Sequence, residues 1–151
     1  MLPGLLFRGF FGGSASLLLL AFTLFQGLPP LCSGATARPD RLWPPDGNLR
    51  RVMIDGVTDP DNDPVSITVL TVHQDEPLSK PGQPDASWIG TPQPRVRADR
   101  DPEGDGRVYH LRFRGEDTQG GSCSGEVTVC VPAAEGKGCG DGGARVDSTG
   151  S

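Results

Sequence analysis

Past residue 37 the sequence has no long apolar run, no heptad pattern and no basic amphipathic stretch, which leaves no basis there for a spanning helix, a coiled coil or a membrane-surface helix. It has no CxxC or HxxxH pair to chelate zinc, no GxSxG turn to present a nucleophile, and no phosphate-binding loop. Only two histidines, His73 and His110, are available as bases, and both fall in strand-like stretches. The carboxylates are plentiful but sit in polar turns, whereas acid–base catalysis needs one held in an apolar pocket. The expectation is a non-catalytic protein. Basic residues are also outnumbered: without Arg8 the chain carries 13 Lys and Arg against 19 Asp and Glu, a balance of about −6 that repels phosphate backbones and argues against nucleic acid as a partner.

What is present begins with an apolar leader. Arg8 is the only charge in the first 37 residues, Leu17 to Phe25 has the length of a signal h-region, and Ala35-Thr36-Ala37 offers small residues where signal peptidase reads. Residues 1–37 are therefore expected to be a cleaved signal peptide. Cleavage after Gly34 and retention of an uncleaved anchor over Phe10 to Phe25 are the alternatives, and only the latter would bring a membrane into play. Pro29, Pro30 and Leu31 ahead of Cys32 do not make a lipobox, so Cys32 is not read as a lipidation site. The remaining 114 residues suit one exported domain with one modest core.

The stretch Gly56 to Val72, GVTDPDNDPVSITVLTV, organises the rest. Val65, Ile67, Val69 and Thr71 alternate with Ser66, Thr68, Leu70 and Val72, the period of a strand built from β-branched residues. Asp59, Asp61 and Asp63 alternate with Pro60 and Asn62 ahead of it, a turn, since proline gives no N–H to a ladder and Asp and Asn cap local backbone. Further strands are expected over Leu49 to Val57, Arg95 to Ala98, Arg107 to Gly115 and Gly125 to Val131. In the third of these Tyr109, Leu111 and Phe113 face the core while Val108, His110, Arg112 and Arg114 are largely wet. In the last, Val127, Val129 and Val131 share a face. Residues 38–48 read as an irregular lead-in, 74–94 as a loop onto which Trp88 and Ile89 fold back, and 133–151, glycine-rich, as a disordered tail. Strands with turn clusters between them indicate an all-β fold, a small Ig-like antiparallel β-sandwich over residues 49–132, with a barrel as the alternative.

Leu42-Trp43-Pro44-Pro45, then Gly56-Val57-Thr58-Asp59-Pro60-Asp61-Asn62-Asp63-Pro64-Val65, Gly106-Arg107-Val108-Tyr109, Ser122-Cys123-Ser124-Gly125 and Val127-Thr128-Val129-Cys130-Val131-Pro132 resemble bacterial extracellular Ig-like repeats, which are related to hyalin-repeat and cadherin-like sandwiches. The resemblance spans roughly residues 42–132 and implies a secreted or surface module used for adhesion, protein binding or spacing. The partner would be a surface protein or a polysaccharide. The sequence departs from the pattern at Asp46-Gly47, where Asn-His is usual, at Thr118-Gln119-Gly120, where a further cysteine is usual, and in having a single copy. A spacer fragment of a larger multi-repeat protein is the alternative function.

Two chemical features remain. Asp59, Asp61 and Asp63, joined in space by Glu116 and Asp117, have the hard oxygen ligands that would suit Ca²⁺, although ordinary turn chemistry accounts for the same residues. The second acidic turn, with Asp101, Glu103 and Asp105, carries the same ambiguity. Of the cysteines, Cys123, Cys130 and Cys139 would survive cleavage, an odd count. An extended Ser124–Cys130 holds Cys123 and Cys130 apart, roughly 23 Å at ~3.3 Å per residue, so Cys139 is expected to reach back to one of them, Cys130 being favoured by the shorter loop. Trp88 and the 74–94 loop are the candidate contact surface, with core cover as the plainer reading.

Overall fold

The computed structural model describes residues 27–151. The expected signal h-region therefore lies outside the described residues. Nine strands follow: β1 Thr36–Arg38, β2 Leu49–Arg51, β3 Met53–Asp55, β4 Ser66–Gln74, β5 Ala86–Ser87, β6 Arg95–Arg97, β7 Arg107–Glu116, β8 Ser122–Val131 and β9 Val146–Asp147. They form a four-stranded sheet ordered β8-β7-β4-β9, a three-stranded sheet ordered β2-β6-β5 and the pair β1-β3, with every strand pairing antiparallel. The described chain is all-β, with no helix.

One core draws on all three sheets. Val69, Val72, Tyr109, Leu111, Phe113, Val127, Val129 and Val131 come from the large sheet, Ala37, Ile54, Ala86 and Val96 from the smaller ones, and Val52 from the link between β2 and β3. The alternation of β7 and β8 places Tyr109, Leu111, Phe113, Val127, Val129 and Val131 inward as their spacing predicts. In β4 the strict alternation fails. The register slips between Val69 and Thr71, so both Val69 and Val72 are buried and Leu70, on the bulge, is exposed. A period-two pattern gives no warning of one extra residue.

Both expected boundaries move. Residues 27–37 belong to the folded body: Leu31 bridges Thr58, Ala37 is buried and pairs with Ile54 of β3, and Cys32 is disulfide-bonded to Cys123 with Cα atoms 5.7 Å apart. A cut after Gly34 or Ala37 would remove half of a disulfide, and a cut after Ala37 would also take most of β1. Cys130 is bonded to Cys139 and no described cysteine is free, so the odd count is corrected by Cys32, which the leader reading had set aside.

The second boundary is the C-terminal one. Residues 133–151 were expected to be disordered; instead, from Cys139 the chain crosses the large sheet as a strap. The Gly140 N–H reaches the Asp105 carbonyl, Gly142 reaches Asp75, β9 pairs with β4, and the Ser148 N–H bonds to the Val72 carbonyl. The strap needs little apolar surface because backbone hydrogen bonds and a disulfide hold it, which is why its composition reads as loose. Asp141 of the strap also reaches His110, and His110 and Val108 are both buried, so the outer face of β7 is not wet at these two positions.

Residues 75–94 are tied down by a buried ion cluster as well as by the apolar contacts of Ala86 and Ile89 with the core. Asp85, wholly buried, accepts from Arg97 Nε at 3.0 Å, Arg107 Nη1 at 2.9 Å, Gln74 Nε2 at 3.0 Å and the Ser79 N–H at 2.8 Å. Arg107, 2% exposed, also binds Glu76 at 3.1 Å, and the Tyr109 hydroxyl donates to the Arg97 carbonyl at 2.8 Å.

Candidate functional site

Three sites stand out, each set by a turn, loop or strap whose local chemistry is readable. At the acidic corner Asp59 organises its own turn: its Oδ1 accepts the N–H groups of Asp61 at 2.8 Å and Asp63 at 3.2 Å, and Asn62 supplies the positive φ of 61° that the turn requires. Asp61 Oδ2 accepts the Leu28 N–H at 2.5 Å, which brings the N-terminal segment to the turn. Asp117, 8% exposed, caps the β7–β8 turn through the N–H groups of Gln119 and Gly121, both at 2.8 Å.

Turn chemistry thus uses one oxygen of each of these aspartates. The other oxygens of Asp59 and Asp117 are buried without a hydrogen-bond partner. Burial, reinforced by the charges of Asp59, Asp117 and Asp61, holds the Asp63 carboxyl above the usual carboxylate value. Asp63 therefore feels three of the other four expected calcium ligands. Glu116 is turned away, in an exposed ion pair with Arg114 at 3.0 Å. No three of the described acidic side chains are gathered tightly enough to hold an ion as they stand. The second acidic turn does something else: Asp101 Oδ1 accepts the Glu103 N–H, while its own N–H is held by Glu76.

On the outer face of the large sheet, His110 sits opposite His73 across β4 and β7. Its Nδ1 is 2.8 Å from Glu126 of β8 and its Nε2 is 2.9 Å from Asp141 of the strap. A neutral imidazole has one N–H and one lone pair, so a carboxylate oxygen at each nitrogen is satisfied only by the imidazolium. Burial alone would push this pKa down; the hydrogen bonds to Glu126 and Asp141, with their charges, overcome it and hold the ring above the usual 6.5. Glu126 is lowered chiefly by the His110 bond, and Asp141 by the Gly143 N–H and then by His110. With both nitrogens engaged, the ring has no lone pair facing a nucleophile, and the flanking carboxylates are substantially solvent-exposed.

The pH consequence has a definite sign. A raised histidine pKa contributes stability that is complete below the unfolded value near 6.5 and lost as pH rises through the folded value. The lowered Glu126 and Asp141 contribute stability that is present above their ordinary values and lost on acidification through the folded ones. The difference in melting temperature between the parent and His110→Gln should therefore be greatest near pH 6 and shrink towards pH 9. A difference that grows with pH would refute the clamp.

The third site is Trp88. Of the pair expected to fold back, Ile89 does, packing against the core, while Trp88 points out and is 53% exposed. Its φ is +61°, rare for a bulky residue. Around it Gly90 N–H bonds to the Val69 carbonyl at 2.8 Å, Val69 N–H to the Thr91 carbonyl at 3.0 Å, and Thr91 Oγ1 donates to the Trp88 carbonyl at 2.7 Å. The Arg95 guanidinium lies 3.9 Å from the centre of the Trp88 ring. The sequence singled out Trp88 but gave no sign of Arg95, which joins it only through the β5–β6 pairing. Asp85, Arg107 and Asp141 were missed for the same reason, each acting on residues distant in the chain.

No family model matches the chain, and no similar curated protein or solved structure is found.

Proposed function

We propose that this chain is an exported, non-catalytic Ig-like β-sandwich module that makes surface contacts through the loop carrying Trp88. The observation that carries the reading is Trp88 itself: a bulky aromatic held outward by a strained backbone and three loop hydrogen bonds, where turning inward would have gained apolar burial. The all-β body and two disulfides suit an oxidising, extracellular setting. Trp88→Ala should leave the melting temperature within about 2 °C, as expected of a surface substitution, and abolish binding of the labelled protein to intact cells of the producing organism. A large drop in melting temperature would assign Trp88 to the core and end the reading.

Calcium belongs to the same proposal, as a stabiliser of the corner formed by Asp59, Asp61, Asp63 and Asp117. What supports it is the pair of orphaned buried oxygens and the crowding of charge at Asp63, which a divalent cation relieves by drawing the turn inward. Glu116 would join only by leaving Arg114. At several millimolar Ca²⁺ a weak extracellular-type site raises the melting temperature by about 5 °C over chelator. Asp63→Asn should remove that response and stabilise the calcium-free protein. Coincident melts would leave the corner to turn chemistry alone.

A further inference from the structure

The geometry points to a binding surface for an anionic glycan, a carboxylated or sulfated sugar chain, formed by Trp88, Arg95 and Arg51. This rests on the proposal that the Trp88 loop is a contact surface, and names what it contacts. β6 lies at the centre of its sheet, so Arg95 has Ser87 of β5 opposite it on one side and Arg51 of β2 on the other. Directly opposed residues on neighbouring strands project from the same face, side by side. Trp88 follows Ser87 and lies under the Arg95 guanidinium, which makes one row of an indole and two guanidinium groups.

Two features of this row call for a ligand. Like charges opposed across a strand pair are destabilising. Yet neither Arg51 nor Arg95 has an acidic ion-pair partner among the described residues, in a chain whose acidic residues outnumber its basic ones. The other sheet-forming arginine of β6, Arg97, is fully committed to Asp85, Gly47 and Pro84. The second feature is Trp88, whose backbone conformation is unfavourable and whose ring remains largely open.

The chemistry that satisfies both is a ring with apolar C–H faces carrying an anionic substituent. The C–H face stacks on the indole, and a carboxylate or sulfate accepts paired N–H bonds from the guanidinium forks. An acidic peptide fits less well. Its side chains offer the carboxylates but not the flat C–H ring face that stacks on the indole.

The test uses the full chain in a Trp43→Phe background, so that Trp88 is its only tryptophan and fluorescence reports on it directly. The probes are an oligogalacturonate, a sulfated oligosaccharide, a neutral malto-oligosaccharide and an oligoglutamate. At least one anionic sugar should perturb Trp88 fluorescence saturably and in a salt-sensitive way. Arg51→Gln and Arg95→Gln should each weaken it about tenfold, and Arg51→Gln should leave the melting temperature unchanged or raised. Which anionic sugar binds separates carboxylate from sulfate recognition. Equal binding of the neutral sugar, equal binding of oligoglutamate, or anionic-sugar binding unaffected by either arginine variant would each overturn the assignment. If no sugar binds while Trp88-dependent binding to cells persists, the glycan is wrong and the contact surface stands. If neither is seen, both fall.

Discussion

Asp85→Ala should destabilise the protein by about 3–5 kcal/mol, the range for removing one partner of a buried ion pair. The reason is what remains behind. Arg97 would lose its only acidic partner among the described residues, Arg107 would keep Glu76 alone, and the Gln74 amide and Ser79 N–H would lose their acceptor. Burial pushes the Asp85 pKa up, but the Ser79 N–H, the Gln74 amide and the Arg107 charge prevail and hold it below 3.8. Its contribution is therefore present above that ordinary value and fades only as pH falls through the folded one. Urea unfolding at pH 7 checks the magnitude. Asp85→Ala combined with Arg107→Met should be less harmful than the sum of the two, since the second change removes one of the two guanidinium charges that Asp85 neutralises. A loss below about 1 kcal/mol for Asp85→Ala would mean that water reaches the cluster and the burial is illusory.

The second large effect belongs to the disulfides, and the two should not be equal. Cys32–Cys123 spans 91 residues and Cys130–Cys139 spans 9. Loop-closure entropy assigns the longer bridge about 4.6 kcal/mol and the shorter about 2.6 kcal/mol. Cys32→Ser with Cys123→Ser should thus lower the melting temperature further than Cys130→Ser with Cys139→Ser. The first pair should also open the segment from Gly27 to Ala35 to proteolysis, because beyond the bridge it is held mainly by the Leu31–Thr58 backbone pair and the Leu28–Asp61 bond. The reverse ranking would show that the strap, not the N-terminal segment, limits stability.

Legibility followed hydrophobic periodicity. β7 and β8 are long enough for Tyr109, Leu111, Phe113, Val127, Val129 and Val131 to declare a face, and they are where the sequence reading and the fold agree. β1 and β9 are three and two residues long, too short for any period, and lie in stretches whose composition resembles a leader and a tail. What fixes them is partnership with Asp55, Ile54, Met53, His73 and Gln74, far away in the chain. Cys32 was misread for a related reason: local targeting chemistry spoke louder than a partner 91 residues on. At the acidic corner proline and asparagine mark the turn of Asp59, Asp61 and Asp63, but the sequence could not see Arg114 pairing with Glu116. Trp88 was noticed and its direction was not, because side-chain direction after a positive φ is invisible to a pattern of residue types.

The strap also sets a timetable. Ser148 supplies the carbonyl that receives the N–H groups of Asp85 and Ala86, and its own N–H closes on Val72. A nascent chain emerging N-terminus first cannot seat the short strand β5, or finish the edge of β4, until residue 148 has been made. Cys130 and Cys139 can meet within a few residues of synthesis, whereas Cys32 must wait for Cys123. Contacts so distant in sequence form slowly. The body around β5 and the edge of β4 should therefore stay open to proteases and chaperones until Ser148 has emerged, and close only then.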